Sequence, residues 1–403
     1  MENVCPRYLV MVTQNNNNKI YKMIPHGDTW TAEYGRIGAA CQTATYPMSQ
    51  WDKKYKEKIR KGYIDQTELR KDLIAESKPR QDVQYKPIPN SAIAEIVNKL
   101  MSMASASVRA NYKISANKVT QQMIEEAQNT LTRLTKITSV SEFNDTLLYL
   151  FTVIPRRMSY VSSYLAATQN DFGEIIQHEQ DTLDVMRGQV VQKAAEETQD
   201  ETPKEDVTIL EKLGLLFEEC DENDIRLIKD HLRSCSPKYS RAWKVTNLKT
   251  QKRFDEFVEK EHITNKKLLW HGSRNENWWS IVNSGLVLKP TNAVITGKMF
   301  GYGIYYAPKA AKSLGYTSLT GSRWASGREN CAYMALMDVA YGKPYDVYSH
   351  QSRYYNFNYE MLQQACPGAN CLHAHAGSML YNDEIVVYKE DQSTIKYLVE
   401  LHA

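Results

Sequence analysis

No apolar run in this chain approaches the about 20 residues that a helix needs to cross a bilayer, so no membrane-spanning helix is expected. No Gly-x-Gly-x-x-Gly opens a helical pattern, which leaves a dehydrogenase-type dinucleotide fold unsupported. The start, Met1-Glu2-Asn3-Val4, carries no secretory signal pattern. Cysteine is sparse and odd in number: Cys5, Cys41, Cys220, Cys235, Cys331, Cys366 and Cys371 are scattered over 403 residues. That spacing excludes a small disulfide scaffold and points to a reducing compartment. The net charge of +3 is too small to argue for nucleic acid globally, so local clusters must carry that case. What remains is a globular composition, 42% hydrophobic and 24% charged, in a chain long enough for two or three domains.

The most informative stretch is Leu268-Leu269-Trp270-His271-Gly272-Ser273-Arg274. Two leucines and a tryptophan run straight into His-Gly-Ser, the pattern of a buried strand whose polar end opens into a cleft. A glycine there lets a flat ligand lie on the backbone and bond its N–H and C=O, and a carboxamide offers the matching acceptor and donor. Downstream, Gly301-Tyr302-Gly303-Ile304-Tyr305-Tyr306-Ala307 sets aromatics on a short β-type run after a glycine-rich turn. Lys312-Ser313-Leu314-Gly315-Tyr316 adds a hydroxyl and another ring, and two rings can sandwich a heteroaromatic base. Finally, acids interrupt the apolar run in Tyr381-Asn382-Asp383-Glu384-Ile385-Val386-Val387-Tyr388, and a carboxylate is costly there without a partner or a task. Taken singly, these are a capped strand end, rim aromatics and an edge acid. Their occurrence together and in order favours a site.

In that order, LLWHGSR, TGKMFGYGIYYA, KSLGY and LYND-E-IVVY resemble the catalytic domain of the poly(ADP-ribose) polymerases, with its His-Tyr-Glu triad. The resemblance implies NAD+ as substrate and no metal. It implies that His271 holds the adenosine-side ribose and that the Gly272 backbone holds the nicotinamide carboxamide with help from the Ser313 hydroxyl. Tyr305 and Tyr316 would stack on the nicotinamide ring, Lys312 and Ser273 would line the pocket, and the catalytic set would be Glu384, His271 and Tyr305. The acid is ambiguous. Counting forward from Tyr381-Asn382 puts Asp383 in the triad position, whereas counting back from Val387-Tyr388 and Ile395-Lys396-Tyr397-Leu398 puts Glu384 there after a one-residue insertion. Glu384 is favoured because the longer matched segment lies on its side, and a slip of one residue reverses every side chain of a strand. Cys366, Cys371, His373 and His375 fall within ten residues, but the two histidines are too close for ordinary zinc-finger spacing, and no metal is expected.

Upstream, the chain reads as two further domains. In residues 1–86, Arg7 to Val12 and Lys19 to Ile24 are strands joined by an asparagine loop, and Trp30 to Gly38 is another strand. Trp51, Tyr55 and Ile59 share one face of a helix whose other faces carry lysine and arginine. The segment resembles a WGR domain, found before the catalytic part of DNA-break-dependent members of the family. There Tyr34 replaces the family's Trp while Gly35 and Arg36 remain, so Tyr34, Gly35 and Arg36 are the DNA-binding candidates. A tyrosine stacks over a smaller area, and Arg36 can pair with phosphate. Residues 87–202 begin at a breaker cluster, Pro87-Ile88-Pro89-Asn90-Ser91, with Asn90 or Ser91 as cap. Apolar stripes then recur at helical spacing: Ile93-Ile96-Val97-Leu100-Met101, Met123-Ile124-Ala127-Leu131-Leu134, Phe143-Leu147-Leu148-Leu150-Phe151, and Ile175 to Val191. This all-α bundle resembles the family's regulatory helical domain, which implies a gate against NAD+. Deleting residues 88–202 is then expected to raise turnover without DNA. Residues 194–203 read as an acidic linker.

The expected architecture is α+β and multidomain: a small sheet plus helix (1–86), a helical bundle (87–202) and a mixed, mainly antiparallel ADP-ribosyltransferase domain (203–403). In that last domain a helix follows the HGSR strand from Asn275 to Gly285, and a loop from Leu288 to Phe300 flanks the cleft. The expected activity is DNA-break-stimulated transfer of ADP-ribose from NAD+ to proteins, itself included, and onward into polymer. Expected partners are DNA ends or nicks and acceptor proteins, the chain acting as a nuclear monomer away from membranes. A mono-ADP-ribosyltransferase and a catalytically silent DNA-end-binding scaffold are the competing readings.

Overall fold

The computed structural model describes residues 4–70, 85–114, 116–197, 207–288, 299–323, 325–377 and 380–403, with the backbone alone at 117 and 194–197. The expected cleft loop from Leu288 to Phe300 falls outside these residues between 289 and 298, as does the expected linker from 198 onward. By backbone contacts the chain divides into two compact units, residues 1–82 with 106–190, and residues 83–105 with 191–403.

The first unit is built on a five-stranded sheet from β1 (Arg7–Thr13), β2 (Asn17–His26), β3 (Thr29–Arg36), β4 (Gln42–Pro47) and, after helix α1 (Trp51–Arg60), β5 (Ile64–Asp65). Its order is β4-β3-β2-β1-β5, with every neighbour antiparallel. Asparagine explains the first turn: Asn16 adopts φ 59, the left-handed region that its short polar side chain tolerates. Asn17 and Asn18 already pair with Thr13 and Val12, so the tip is shorter than the asparagine run. Leu9, Met11, Tyr21, Met23, Trp30, Trp51 and Tyr63 form the core. Ile59 stands 38% exposed, so the helix's apolar stripe fades toward its end.

Helix α2 (Ser91–Asn111) is capped by Asn90, whose Oδ1 accepts from the Ala92 and Ile93 amides. Helix α3 (Gln121–Leu134) buries Met123, Ile124, Ala127, Thr130, Leu131 and Leu134, with Thr120 capping it. Helix α4 (Val140–Val153) stops because Ile154, extended at φ −122, precedes Pro155. Near the start of α5 (Phe172–Glu197), Glu179 meets the buried Arg156 at 3.1 Å.

The second unit carries two sheets. After α6 (Ile209–Leu213) come β6 (Leu215–Glu219), α7 (Glu222–Leu232), β7 (Tyr239–Asn247), α8 (Leu248–Lys260), β8 (Lys267–Gly272), α9 (Trp278–Ser284), β9 (Ile304–Tyr306) and α10 (Ala310–Leu314). The remainder is β10 (Cys331–Val339), β11 (Pro344–Val347), α11 (Tyr359–Ala365), β12 (Cys371–Ala374), β13 (Glu384–Val387) and β14 (Ser393–His402). The larger sheet runs β6-β7-β14-β10-β8, all antiparallel. The smaller runs β11-β12-β13-β9, antiparallel except for β11 with β12. The architecture is thus α+β with mainly antiparallel sheets. The backbones of the two sheets are bridged at Trp270 and Ala307, which exchange both hydrogen bonds at 2.9 Å. That bridge brings the end of β8 beside β9.

Candidate active site

Trp270 is fully buried, and its indole N–H donates to the His231 carbonyl at 3.0 Å, which fixes the strand just before its polar end. The next residue, His271, places Nδ1 3.0 Å from the Tyr305 carbonyl. A carbonyl only accepts, so Nδ1 carries the hydrogen in that contact. Gly272 follows, and its lack of a side chain is structural: a Cβ there would lie 1.9 Å from the Ser313 carbonyl oxygen. The short helix α10 therefore presses directly on the end of β8. Ser313 completes the join by donating its hydroxyl to the Trp270 carbonyl at 3.1 Å. Ser273 accepts from Asn277 Nδ2 at 3.0 Å.

Across the bridge, Tyr305 is anchored by its phenol, which accepts from the Phe300 amide at 3.0 Å and donates to the Gly301 carbonyl at 3.1 Å. The turn permits this because Gly301 holds φ 71 with the Phe357 backbone too close for any Cβ. β9 pairs with β13, Tyr305 opposite Val386, which brings the acidic segment alongside. Glu384, only 8% exposed, sets Oε1 2.5 Å from Lys312 Nζ. A buried carboxylate needs such a partner. Burial and then the Glu384 charge push the Tyr305 phenol well above its ordinary pKa, and Tyr316, 42% exposed as a residue but crowded by its surroundings, is raised by desolvation and then by the same charge. Both rings therefore stay neutral at any working pH.

The pleat separates the two adjacent acids. Ala374 pairs with Glu384 and His373 with Ile385, so Asp383 and Glu384 point to opposite faces. Asp383 accepts from the Ala376 amide at 2.8 Å and lies 3.1 Å from His373 Nε2. Glu384 alone faces Lys312.

His271, Gly272, Ser273, Tyr305, Lys312, Ser313, Tyr316 and Glu384 all lie in the second unit; the contacts above join them except for Ser273, whose bond is to Asn277. Asn277 is a member that sequence reading passed over, although a polar residue four positions after a serine at a helix start was a usable signal. The three DNA-binding candidates end β3 in the first unit. Tyr34 stacks on Tyr21 at 5.8 Å, and exposed Arg36 donates to the Asn16 carbonyl at 3.0 Å and the Ser159 carbonyl at 3.2 Å.

A model of the poly(ADP-ribose) polymerase catalytic domain matches residues 226–403. The chain is 32% identical over 186 residues to the uncharacterized protein 101L of Invertebrate iridescent virus 6, covering 45% of this chain and 76% of that one. It is 30% identical over 188 residues to the poly [ADP-ribose] polymerase-like protein 100L of the same virus, covering 46% of this chain and 97% of the relative. The chain belongs to the poly(ADP-ribose) polymerase family. With human poly [ADP-ribose] polymerase 2 it shares 43% identity over 84 residues, 21% of this chain and 13% of the human protein. Enzymes with this domain use NAD+ as substrate, and the polymerase domain here holds the whole Gly272–Ser313–Glu384 arrangement. Chemically, it sets a desolvated carboxylate, Glu384, against the Lys312 ammonium and near the Tyr305 and Tyr316 phenols, with the end of β8 packed on α10.

Proposed function

We propose that this protein is an NAD+-dependent ADP-ribosyltransferase that modifies proteins, itself included, extends the modification into polymer, and is stimulated by DNA breaks. The observation that carries the transferase reading is the buried Glu384–Lys312 pair set beside Tyr305 and Tyr316. Cleaving the nicotinamide–ribose bond develops positive charge on the sugar, and a fixed carboxylate near the ribose hydroxyls stabilises it. Glu384 serves that role, with Lys312 holding it in place, and polarises the incoming acceptor hydroxyl. The Gly272 N–H and C=O take the carboxamide, the Ser313 hydroxyl adds a contact, and Tyr305 and Tyr316 hold the ring. His271, oriented through Nδ1 by the Tyr305 carbonyl, presents the rest of its imidazole to the adenosine-side ribose.

The DNA part of the proposal rests on the resemblance of residues 1–86 to a WGR domain and on Gly35 and Arg36 at the end of β3. Arg36 exchanges its hydrogen bonds to Asn16 and Ser159 for phosphate when DNA is engaged. The helices of residues 87–202 then shift from a closed to an open population that admits NAD+. A nuclear location, inferred from the family and that partner, and action as a monomer complete the proposal.

One assay tests both parts: nicotinamide release from NAD+ by wild type, Glu384→Gln and Asp383→Asn, each with and without nicked DNA. Turnover that rises with nicked DNA and collapses in Glu384→Gln is expected. Loss in Asp383→Asn with Glu384→Gln still active reverses the assignment of the acid, and wild-type protein that binds nicked DNA yet releases no nicotinamide makes the chain a silent scaffold. Product length on a gel separates polymer from single transfer.

A further inference from the structure

The smaller sheet of the second unit carries a second polar cluster, on the face of β12 and β13 turned away from the Glu384 side chain. His373 lies opposite Asp346 in the β11–β12 pair, and His375 follows two residues on, held in line by its amide bond to the Val347 carbonyl at 2.8 Å. The two imidazoles stack at 3.9 Å, and Tyr348 covers the outer side of His375 at 4.5 Å. His375 Nε2 is 2.7 Å from Asp346 Oδ1, and His373 Nδ1 is 3.8 Å from the same oxygen.

We propose that Asp346, His373 and His375 form a binding site for one zinc-type divalent ion, with Asp383 as the outer carboxylate that orients His373. Ligand atoms of the three residues lie within 4.8 Å of one another. Zinc bonds of about 2.0–2.2 Å hold ligand atoms roughly 3.3 Å apart, so closure requires about an ångström of movement. Asp346, with its side chain 42% exposed, supplies part of it, and the stacked imidazoles must turn so that their in-plane lone pairs converge on the ion. Two imidazoles and one carboxylate are a donor set that suits zinc, leaving a fourth position for water or the Tyr341 oxygen.

The tautomer supports this assignment. His373 Nε2 faces Asp383 Oδ2 at 3.1 Å, and the other Asp383 oxygen is pinned by the Ala376 amide at 2.8 Å. A carboxylate only accepts, so Nε2 carries the hydrogen and Nδ1 presents a lone pair, into which the Tyr341 hydroxyl donates at 2.8 Å. A metal replaces that hydrogen at the same lone pair; at His375 it must also displace, as a proton, the hydrogen that Nε2 donates to Asp346 Oδ1 at 2.7 Å. Carboxylate to histidine to metal is the arrangement in which an outer group fixes a ligand's ring. The other candidate cluster, Cys331, Glu400 and His402, already holds a cation of its own, because Lys99 Nζ sits 2.9 Å from Glu400 Oε1. Without a metal, the histidines and aspartates form only a hydrogen-bonded network, and the test separates the two.

The full-length protein is stripped with a chelator and titrated with Zn2+ alone against a chromophoric competitor, and bound zinc is counted by atomic absorption. One zinc per chain is expected. His375→Ala and Asp346→Asn weaken binding more than 100-fold, Asp383→Asn weakens it about 10–100-fold, as expected of an outer carboxylate, and His402→Ala and Cys366→Ser retain it. Melting curves of each variant with and without Zn2+ show that it is folded and report binding a second way. Folded wild type that takes up no zinc overturns the proposal, as does zinc retained by His375→Ala and Asp346→Asn, or lost in His402→Ala or Cys366→Ser.

Discussion

The two sheets of the second unit divide the labour between them. In the larger, β10 and β14 run for 9 and 10 residues, and Ala332 to Met337 are all buried. In the smaller, strands are 3 or 4 residues long, yet they deliver Tyr305, His373 and Glu384. Long ladders bury apolar side chains on both faces and set the register. Short strands end quickly, and a strand end is where a polar group can reach a cleft without losing ladder hydrogen bonds inside a core. The proposed site accordingly takes Tyr305 and Glu384 from the short sheet, and His271 and Gly272 from the end of β8, the edge strand of the long one.

That division can be broken most forcefully by a core truncation. Leu336→Ala, at a fully buried position of β10, is expected to cost about 2–5 kcal/mol in urea unfolding while turnover per folded molecule is kept. Loss of turnover with little loss of stability gives β10 a part in the site beyond holding β8 in register. Next, Glu384→Gln keeps an acceptor for Lys312 but removes the charge, and a drop of about 10²–10³-fold in nicotinamide release is expected. A smaller change, Gly272→Ala, tests the contact between the end of β8 and helix α10. Its Cβ must displace the Ser313 carbonyl, so about 1–3 kcal/mol of stability is lost and KM for NAD+ rises. An unchanged KM removes the Gly272 backbone from the amide site. The mildest probe is chemical: burial pushes the Cys371 thiol in β12 up to about 12, so little of the reactive thiolate exists at pH 8. A maleimide is then expected to label exposed Cys5 and Cys41 quickly, and Cys371 only on unfolding, as read by mass spectrometry.

The same division governs what the sequence made legible. The strand running into His271 was readable because apolar residues change to polar ones within a few positions, and the stripes of α3 and α4 were readable by their spacing. β10 was not assigned, because a continuous apolar run has no alternation to distinguish a strand buried on both faces from a helix. Local counting left Asp383 and Glu384 in competition, since what separates them is register against β12 and a lysine 72 positions earlier. His373 and His375 were grouped with Cys366 and Cys371, their neighbours in sequence. Cys371 instead points to the Tyr341 carbonyl, and Asp346 reaches the histidines only through the parallel pairing of β11 with β12.

The bridge between Trp270 and Ala307 is made wholly of main-chain atoms. Every residue type but proline brings the same donor and acceptor to such a seam, so the main-chain spacing of β8 and β9 at the bridge is set without calling on any particular side chain. Positions around it other than Gly272 and Ser313 can therefore drift through substitutions while the stitch that spaces β8 from β9 stays put.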